Sequence, residues 1–288
     1  MKRTFIFVFL FSSLLSFSQS KYNSLCWKIY DNGLTDTSYL YGTMHVQDSR
    51  VFQFKNGIQE AFNRCEIFAL ELNMDSVNTL QLMDELIMEP PNRLDSLLTK
   101  KEYEMVSQYF KDTLGIGLMI FNKMQPIYTS QLISFEKLKK DQDVALDIYF
   151  FNEAKKQNKT TVGLEFMEEQ LNAFKSIPYD VQAKELFKAV EDAYKGEGQE
   201  IDELIDYYLN EDLDKLLELT LNSQFMDEEI NIIFKQVFLI DRNHKMAERS
   251  IKYMKSGPTF IAIGAAHLPG KEGVIENLRK KGYTVEAF

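Results

Sequence analysis

The sequence predicts an α/β protein in which a mixed central sheet carries flanking helices and a large helical insertion. Three observations lead there. Apolar, β-rich segments are few and widely spaced, and the chain between them repeats apolar residues every three or four positions, the helical period. No long Pro-, Gly- or Ser-rich linker divides the chain, so residues 21–288 read as a single domain.

The N-terminus has a different character. Lys2 and Arg3 precede an uncharged, almost wholly apolar run over residues 4–17, and small residues follow at Ser16, Ser18 and Ser20. A membrane-spanning helix needs about 20 apolar residues. A positive start, a shorter apolar centre and a small-residue exit therefore predict a cleavable signal peptide over residues 1–20. The expected protein is exported, periplasmic or secreted, with no stable membrane insertion after cleavage.

Residues 25–30 and 39–46 flank Asp31-Asn32-Gly33, a turn signal, and read as a hairpin. Residues 57–64 read as a helix and 67–72 as a strand. Helices follow over 75–88, 94–110 and 130–157, with breaks at Gly115 and Gly117 and a helix start set by Pro126. Residues 160–164, 259–263 and 283–288 supply the remaining strands. Between them, residues 179–256 are helical almost throughout: Phe187 and Val190, then Ile201, Leu204, Ile205 and Tyr208, share a face, and acidic residues fill the other. Such helices are ordinarily a solvated face over a buried stripe. This tract leaves the sheet after Glu165 and rejoins it before His267, so it is expected to wall the C-terminal ends of the strands.

Bulk composition narrows the function. The chain carries a formal charge of −10, and losing Lys2 and Arg3 with the signal peptide takes it to −12. An acidic surface repels phosphate backbones, so nucleic acid is not an expected partner. An oxidising compartment permits a bridge between Cys26 and Cys65, but two cysteines are no disulfide framework. The absence of CxxC excludes a cysteine-based zinc or redox motif. There is also no HExxH, no GxSxG and no P-loop.

The chain has three histidines, and two share a context. The apolar run at 39–41 leads into Gly42-Thr43-Met44-His45, and that at 260–263 into Gly264-Ala265-Ala266-His267. Each glycine permits close backbone packing or a turn where a strand stops, and each histidine emerges at the strand's C-terminal edge, where open α/β sheets gather ligands. A lone histidine after a strand is usually a satisfied core or surface residue; two in matching contexts weaken that explanation. Glu71 lies inside an otherwise apolar strand and Glu165 ends another. An unpaired buried carboxylate costs several kcal/mol or shifts its pKa, so both need cations or donors, unless each simply caps a helix or pairs with Lys or Arg. A divalent metal held by imidazole nitrogens and carboxylate oxygens meets that need. Near Arg242-Asn243-His244, Asp241 or Asn243 reads as a helix cap and His244 as solvent-exposed. Arg242 offers a planar charged fork for a substrate carboxylate, or for Glu71 or Glu165.

In this order and spacing the chain resembles the TraB/PrgY/GumN family, which includes the Tiki membrane metalloproteases. The resemblance rests on Tyr41-Gly42-Thr43-Met44-His45, Glu71, Asp147, Gly163-Leu164-Glu165 with Glu169-Gln170-Leu171, Arg242-Asn243, and Gly264-Ala265-Ala266-His267-Leu268-Pro269-Gly270. It implies an α/β fold related to erythromycin-esterase and ChaN-like proteins. From the Tiki branch it implies metal-dependent peptide cleavage needing both Gly-x-x-His motifs, and by motif match it carries His45, Glu71, Glu165 and His267 over. The C-terminal membrane segment of the Tiki proteins has no counterpart in this sequence.

The combined expectation is a metal-dependent hydrolase, a peptidase, acting on a peptide or another small extracytoplasmic substrate. His45 and His267 bind a divalent metal such as zinc, manganese or cobalt. One of Glu71 and Glu165 completes the shell and the other acts as base, two assignments that spacing leaves equivalent. Arg242 orients a substrate carboxylate or the transition-state oxyanion. The rival expectations are a non-catalytic protein that sequesters a peptide and a metal-independent esterase with a histidine base.

Overall fold

Strands form where the sequence places apolar, β-rich residues: β1 Cys26–Tyr30, β2 Ser38–Thr43, β3 Ile67–Leu72, β4 Thr160–Glu165, β5 Thr259–Gly264 and β6 Thr284–Ala287. The structure, a computed structural model, describes residues 22–76, 78–196, 200–222 and 228–288, so the expected signal peptide lies outside the described residues. Among the described residues no helix is long and apolar enough to cross a membrane. Cys26 and Cys65 are buried free thiols.

The strands make one mixed α/β sheet in the order β4-β3-β5-β2-β1-β6. β1 pairs antiparallel with β2 and with β6, whereas β2, β5, β3 and β4 run parallel. Asp31, Asn32 and Gly33 all take positive φ in the hairpin turn, a conformation those three residue types tolerate best. Parallel strands are covered on both faces, which explains the uninterrupted apolar run of β5: Phe260, Ile261, Ala262 and Ile263 are all essentially inaccessible.

The position of β5 decides the site. It is fifth in sequence yet lies between β2 and β3, with Thr43 opposite Gly264 and Leu70 opposite Ala262. The two Gly-x-x-His segments therefore leave the sheet side by side, next to the strand carrying Glu71.

Helices fill the connections. α1 Ile58–Arg64 joins β2 to β3. Then come α2 Thr79–Glu85, α3 Leu94–Leu97, α4 Lys100–Tyr109, α5 Pro126–Lys137 and α6 Leu146–Lys156 before β4. α7 Met167–Lys175, α8 Tyr179–Lys195, α9 Glu200–Leu209, α10 Leu213–Asn222, α11 Glu228–Phe234 and α12 Asp241–Met254 precede β5, and α13 Val274–Lys280 precedes β6. Phe62, Phe150 and Phe260 pack with centroids 5.3–5.4 Å apart in the main core, each burial contributing about 1.5–3 kcal/mol. Smaller cores gather Leu94, Val106, Phe110, Ile133 and Leu186 under α8, and Ala173, Ile177, Ile230 and Phe238 beyond α7.

Two helices expected as continuous are broken. The span 94–110 divides because Thr99 caps α4 in a reciprocal box with Glu102. The span 130–157 divides at residues 138–145, where Gln47 O accepts the amides of Asp141 and Gln142 and the Asp141 carboxylate takes the amide and hydroxyl of Ser49. Those bonds tie this loop to the segment after His45 and start α6 anew, with Asp147 in its first turn. The 179–256 tract divides its labour as well. α8 packs on α5 and α4, whereas α9, α10 and α12 stand by the strand ends. There Tyr208 Oη donates to Gly42 O at 2.9 Å.

Candidate active site

Four parallel strands end on one edge, and each contributes a polar side chain there. His45 follows β2, Glu71 is near the end of β3, Glu165 closes β4, and His267 ends the short 3-10 turn after β5. Gly264 makes the convergence possible through space. Its φ of −53° suits any residue, but a Cβ there would lie 3.1 Å from Glu71 Oε1 and 3.4 Å from His267 Cδ2. Gly42 answers to the same constraint, since a Cβ would lie 3.1 Å from Ala265 Cα.

Glu71 is the hub. Its Oε1 accepts the Gly264 amide at 2.7 Å and lies 3.8 Å from His267 Nε2 and 4.0 Å from His45 Nε2. Its Oε2 accepts from Arg242 Nη2 at 2.7 Å. Behind each imidazole stands an oxygen: Asp147 Oδ1 is 3.0 Å from His45 Nδ1, and Asn243 Oδ1 is 2.7 Å from His267 Nδ1. Glu165 is turned elsewhere. Its side chain is fully buried, and its oxygens accept from Arg242 Nε and Nη2 at 2.8 and 2.7 Å and from Gln170 Nε2 at 3.1 Å. Arg242 Nη1 donates to Phe238 O at 3.3 Å, within a wide helical turn over 235–240 that runs directly into α12. A cleft of about 190 Å³ opens here, lined by His45, Glu71, Asp147 and Gln170 on one hand and Leu70, Leu72, Met74 and Ala262 on the other.

The electrostatics separate the two histidines. For His45, at the mouth of the cleft with 58% of its side chain exposed, desolvation of the inward edge is outweighed by contact with Asp147 and the charges of Asp147 and Glu71, raising its pKa to about 9. Buried His267 is pushed down to about 4 by desolvation, helped by the Arg242 and His45 charges against that of Glu71. Burial pushes the Glu71 carboxyl up, but His267, Arg242, His45 and the Gly264 amide together hold it at about 2. At neutral pH, where His267 is uncharged, Arg242 and His45 carry that effect.

Among the described residues, no three His, Cys, Asp or Glu side chains already close around one point as a metal cage does. The donor chemistry nevertheless fits a divalent cation. Two imidazole Nε2 atoms and a carboxylate oxygen are a zinc-type set. Each imidazole has an oxygen at its other nitrogen, a hydrogen bond from Asn243 at His267 and an ion-pair contact with Asp147 at His45, the kind of support that metal-bound histidines have. Ligand atoms on a tetrahedral zinc stand about 3.3 Å apart, so gaps of 3.8 and 4.0 Å need to close by well under an ångström.

The structure thus brings His45, Glu71 and His267 together and sets Glu165 behind Arg242. Asn243 is no helix cap: the chain enters α12 already helical, and its buried side chain bonds His267 and Glu272 O. Its adjacency to Arg242, one helical step away, is the signal that could have placed it here. His244 is half-exposed as expected, 2.9 Å from Glu272. Asp147 and Gln170, noted in the sequence through resemblance alone, both line the cleft.

The profile of the TraB/PrgY/gumN family matches residues 25–287. The chain is 25% identical over 321 residues to a Metalloprotease TIKI homolog of Nematostella vectensis, covering 93% of this chain and 68% of that protein. It is 23% identical over 317 residues to Metalloprotease TIKI1 of Danio rerio, covering 93% and 64%. It is 25% identical over 319 residues to Metalloprotease TIKI2 of Xenopus tropicalis, covering 93% and 60%. The chain therefore spans 60–68% of the length of these relatives. No solved structure matches it.

Proposed function

This chain belongs to the TraB/PrgY/gumN family, and from that premise we propose that it is an exported, metal-dependent hydrolase that cleaves peptides. The observation that carries the proposal is the approach of His45 Nε2 and His267 Nε2 to the same oxygen of Glu71. These three side chains would hold the cation. Bound there, zinc, manganese or cobalt supplies Lewis acidity and a water whose pKa falls to about 7.

The remaining chemistry belongs to the protein. Asp147 and Asn243 aim the imidazoles. Glu165 holds Arg242 in a bidentate grip, and Arg242 in turn keeps Glu71 ionised; its positive charge would stabilise the oxyanion of a hydrolysed carbonyl. A water proton can pass to Asp147, the carboxylate lining the cleft that is not among the three proposed ligands. The wall of Leu70, Leu72, Met74 and Ala262 suits an apolar side chain of modest size.

The test is incubation of the purified protein with a peptide library, with and without each of the three metals, read by mass spectrometry. Metal-dependent peptide cleavage supports the proposal. Peptide retained without cleavage would replace it with sequestration, and ester hydrolysis indifferent to chelator would replace it with a metal-independent esterase.

A further inference from the structure

We infer that Asn243 fixes the tautomer of His267, placing the proton on Nδ1 and leaving the Nε2 lone pair facing Glu71. The orientation of the Asn243 amide carries the argument. Its Nδ2 donates to Glu272 O at 2.9 Å, and a carbonyl oxygen can only accept. Flipping the amide would set two acceptors against each other, so Oδ1 is the end that faces His267 Nδ1, 2.7 Å away. That oxygen also only accepts, which assigns the hydrogen to Nδ1. A neutral imidazole has one N–H, so Nε2 is bare, 3.8 Å from Glu71 Oε1 and beyond hydrogen-bond reach of it. Among the described residues no acceptor lies within hydrogen-bond reach of Nε2.

Asn243 is 4% exposed, so water does not compete for His267 Nδ1 from this side. Its place one residue after Arg242 lets the first turn of α12 deliver the guanidinium to Glu71 and Glu165 and the amide oxygen to His267. The two histidines are backed differently, a carboxylate behind His45 and a neutral amide behind His267. A carboxylate stabilises a charged ring; an amide oxygen orients a neutral one. Asn243 is thus a positioning residue that presents His267 as a ready ligand. Its importance to function rests on the proposed metal reading, whereas the tautomer does not.

The test is the ¹⁵N spectrum of the histidine side chains in the metal-free full chain near neutral pH, paired with zinc titration. Wild type should show His267 as the Nδ1–H form. Asn243→Ala should lose that preference and bind zinc roughly 10- to 100-fold more weakly. Asn243→Asp keeps an acceptor toward Nδ1 but turns another toward Glu272 O, so it should lower the melting temperature and still preserve the tautomer. Asn277 Nδ2 also donates to Glu272 O, at 3.0 Å, so Asn277→Ala loosens the same loop and should leave both tautomer and zinc affinity as in wild type. An Nε2–H form in wild type overturns the inference, and that spectrum decides even if Asn243→Ala does not fold. Equal loss of zinc affinity in Asn243→Ala and Asn277→Ala overturns it too. Wild type with the Nδ1–H form but no zinc binding would sink the proposed function and leave the tautomer assignment standing.

Discussion

Arg242 donates to both oxygens of the fully buried Glu165 and uses the same Nη2 to reach Glu71 Oε2. Removing one member of such a group strands a buried charge, at about 3–5 kcal/mol, whereas replacing a buried pair by apolar residues is often neutral. Arg242→Met should therefore lower the melting temperature by roughly 6–20 °C. The Arg242→Met, Glu165→Leu double variant should recover most of that loss without regaining activity. A thermal melt that finds the double variant no more stable than Arg242→Met would contradict the pairing.

Gly264 is needed for room, so alanine there should harm the site more than the fold. A methyl group 3.1 Å from Glu71 Oε1 and 3.4 Å from His267 Cδ2 forces both side chains to shift. Overpacking of this kind costs about 1–3 kcal/mol. Gly264→Ala should melt within several degrees of wild type yet lose zinc affinity and peptide cleavage by at least about tenfold. Calorimetric titration would reveal the opposite outcome, intact binding, as readily.

The pH dependence follows from the split between the histidines. With a pKa raised to about 9, His45 stabilises the metal-free fold fully below its ordinary value of about 6.5, and that contribution is lost as pH rises through 9. Cation binding has the reverse sign, because it requires neutral imidazole. His267, at about 4, has no proton to lose near pH 6, but His45 does. Zinc uptake near pH 6 should therefore release about one proton, and apparent affinity should keep rising with pH toward 9. Titration in buffers of different ionisation enthalpy counts the protons; zero or two would contradict these assignments.

A second titration lies outside the cleft. Arg249 at 2.5 Å, with the Phe166 amide and Lys245, overcomes desolvation and holds Glu169 at about 2. A depressed carboxylate contributes stability that is present above its ordinary value, about 4.5, and is lost as pH falls through 2. Glu169→Gln should accordingly melt below wild type at pH 7, and the gap should narrow steadily between pH 4.5 and pH 2. A gap that stays constant with pH would rule out this role for the ion pair.

The strands were legible because apolar, β-rich runs bounded by turns leave few alternatives, and the two Gly-x-x-His motifs marked strand ends directly. Long-range order was less legible. Nothing local in the 259–264 segment says that it lies between β2 and β3, yet that insertion makes His45 and His267 neighbours. Helix breaks leave no mark on apolar spacing where capping and long-range bonds set them, as the Thr99–Glu102 box and the Asp141 bonds to Gln47 O and Ser49 do. Asn243 has the signature of a cap, since a short polar residue near a helix start usually is one. Its actual partners are 24 and 29 positions away in sequence. As strand-end carboxylates Glu71 and Glu165 are equivalent in sequence, and their bonds to Arg242 and Gly264 are what give them different surroundings.

If His45, His267 and Glu71 share one cation, binding of that cation must raise the melting temperature of the protein. At a hundredfold excess over Kd, binding stabilises by about 2.7 kcal/mol, which for a chain of this size raises the melting temperature by roughly 5–10 °C. Wild type at neutral pH should show that rise with zinc, manganese or cobalt at one ion per chain. The His45→Ala, His267→Ala double variant should still fold and show none. A wild-type protein that carries no metal as purified and whose melting temperature none of these ions moves would show that the three side chains hold no cation.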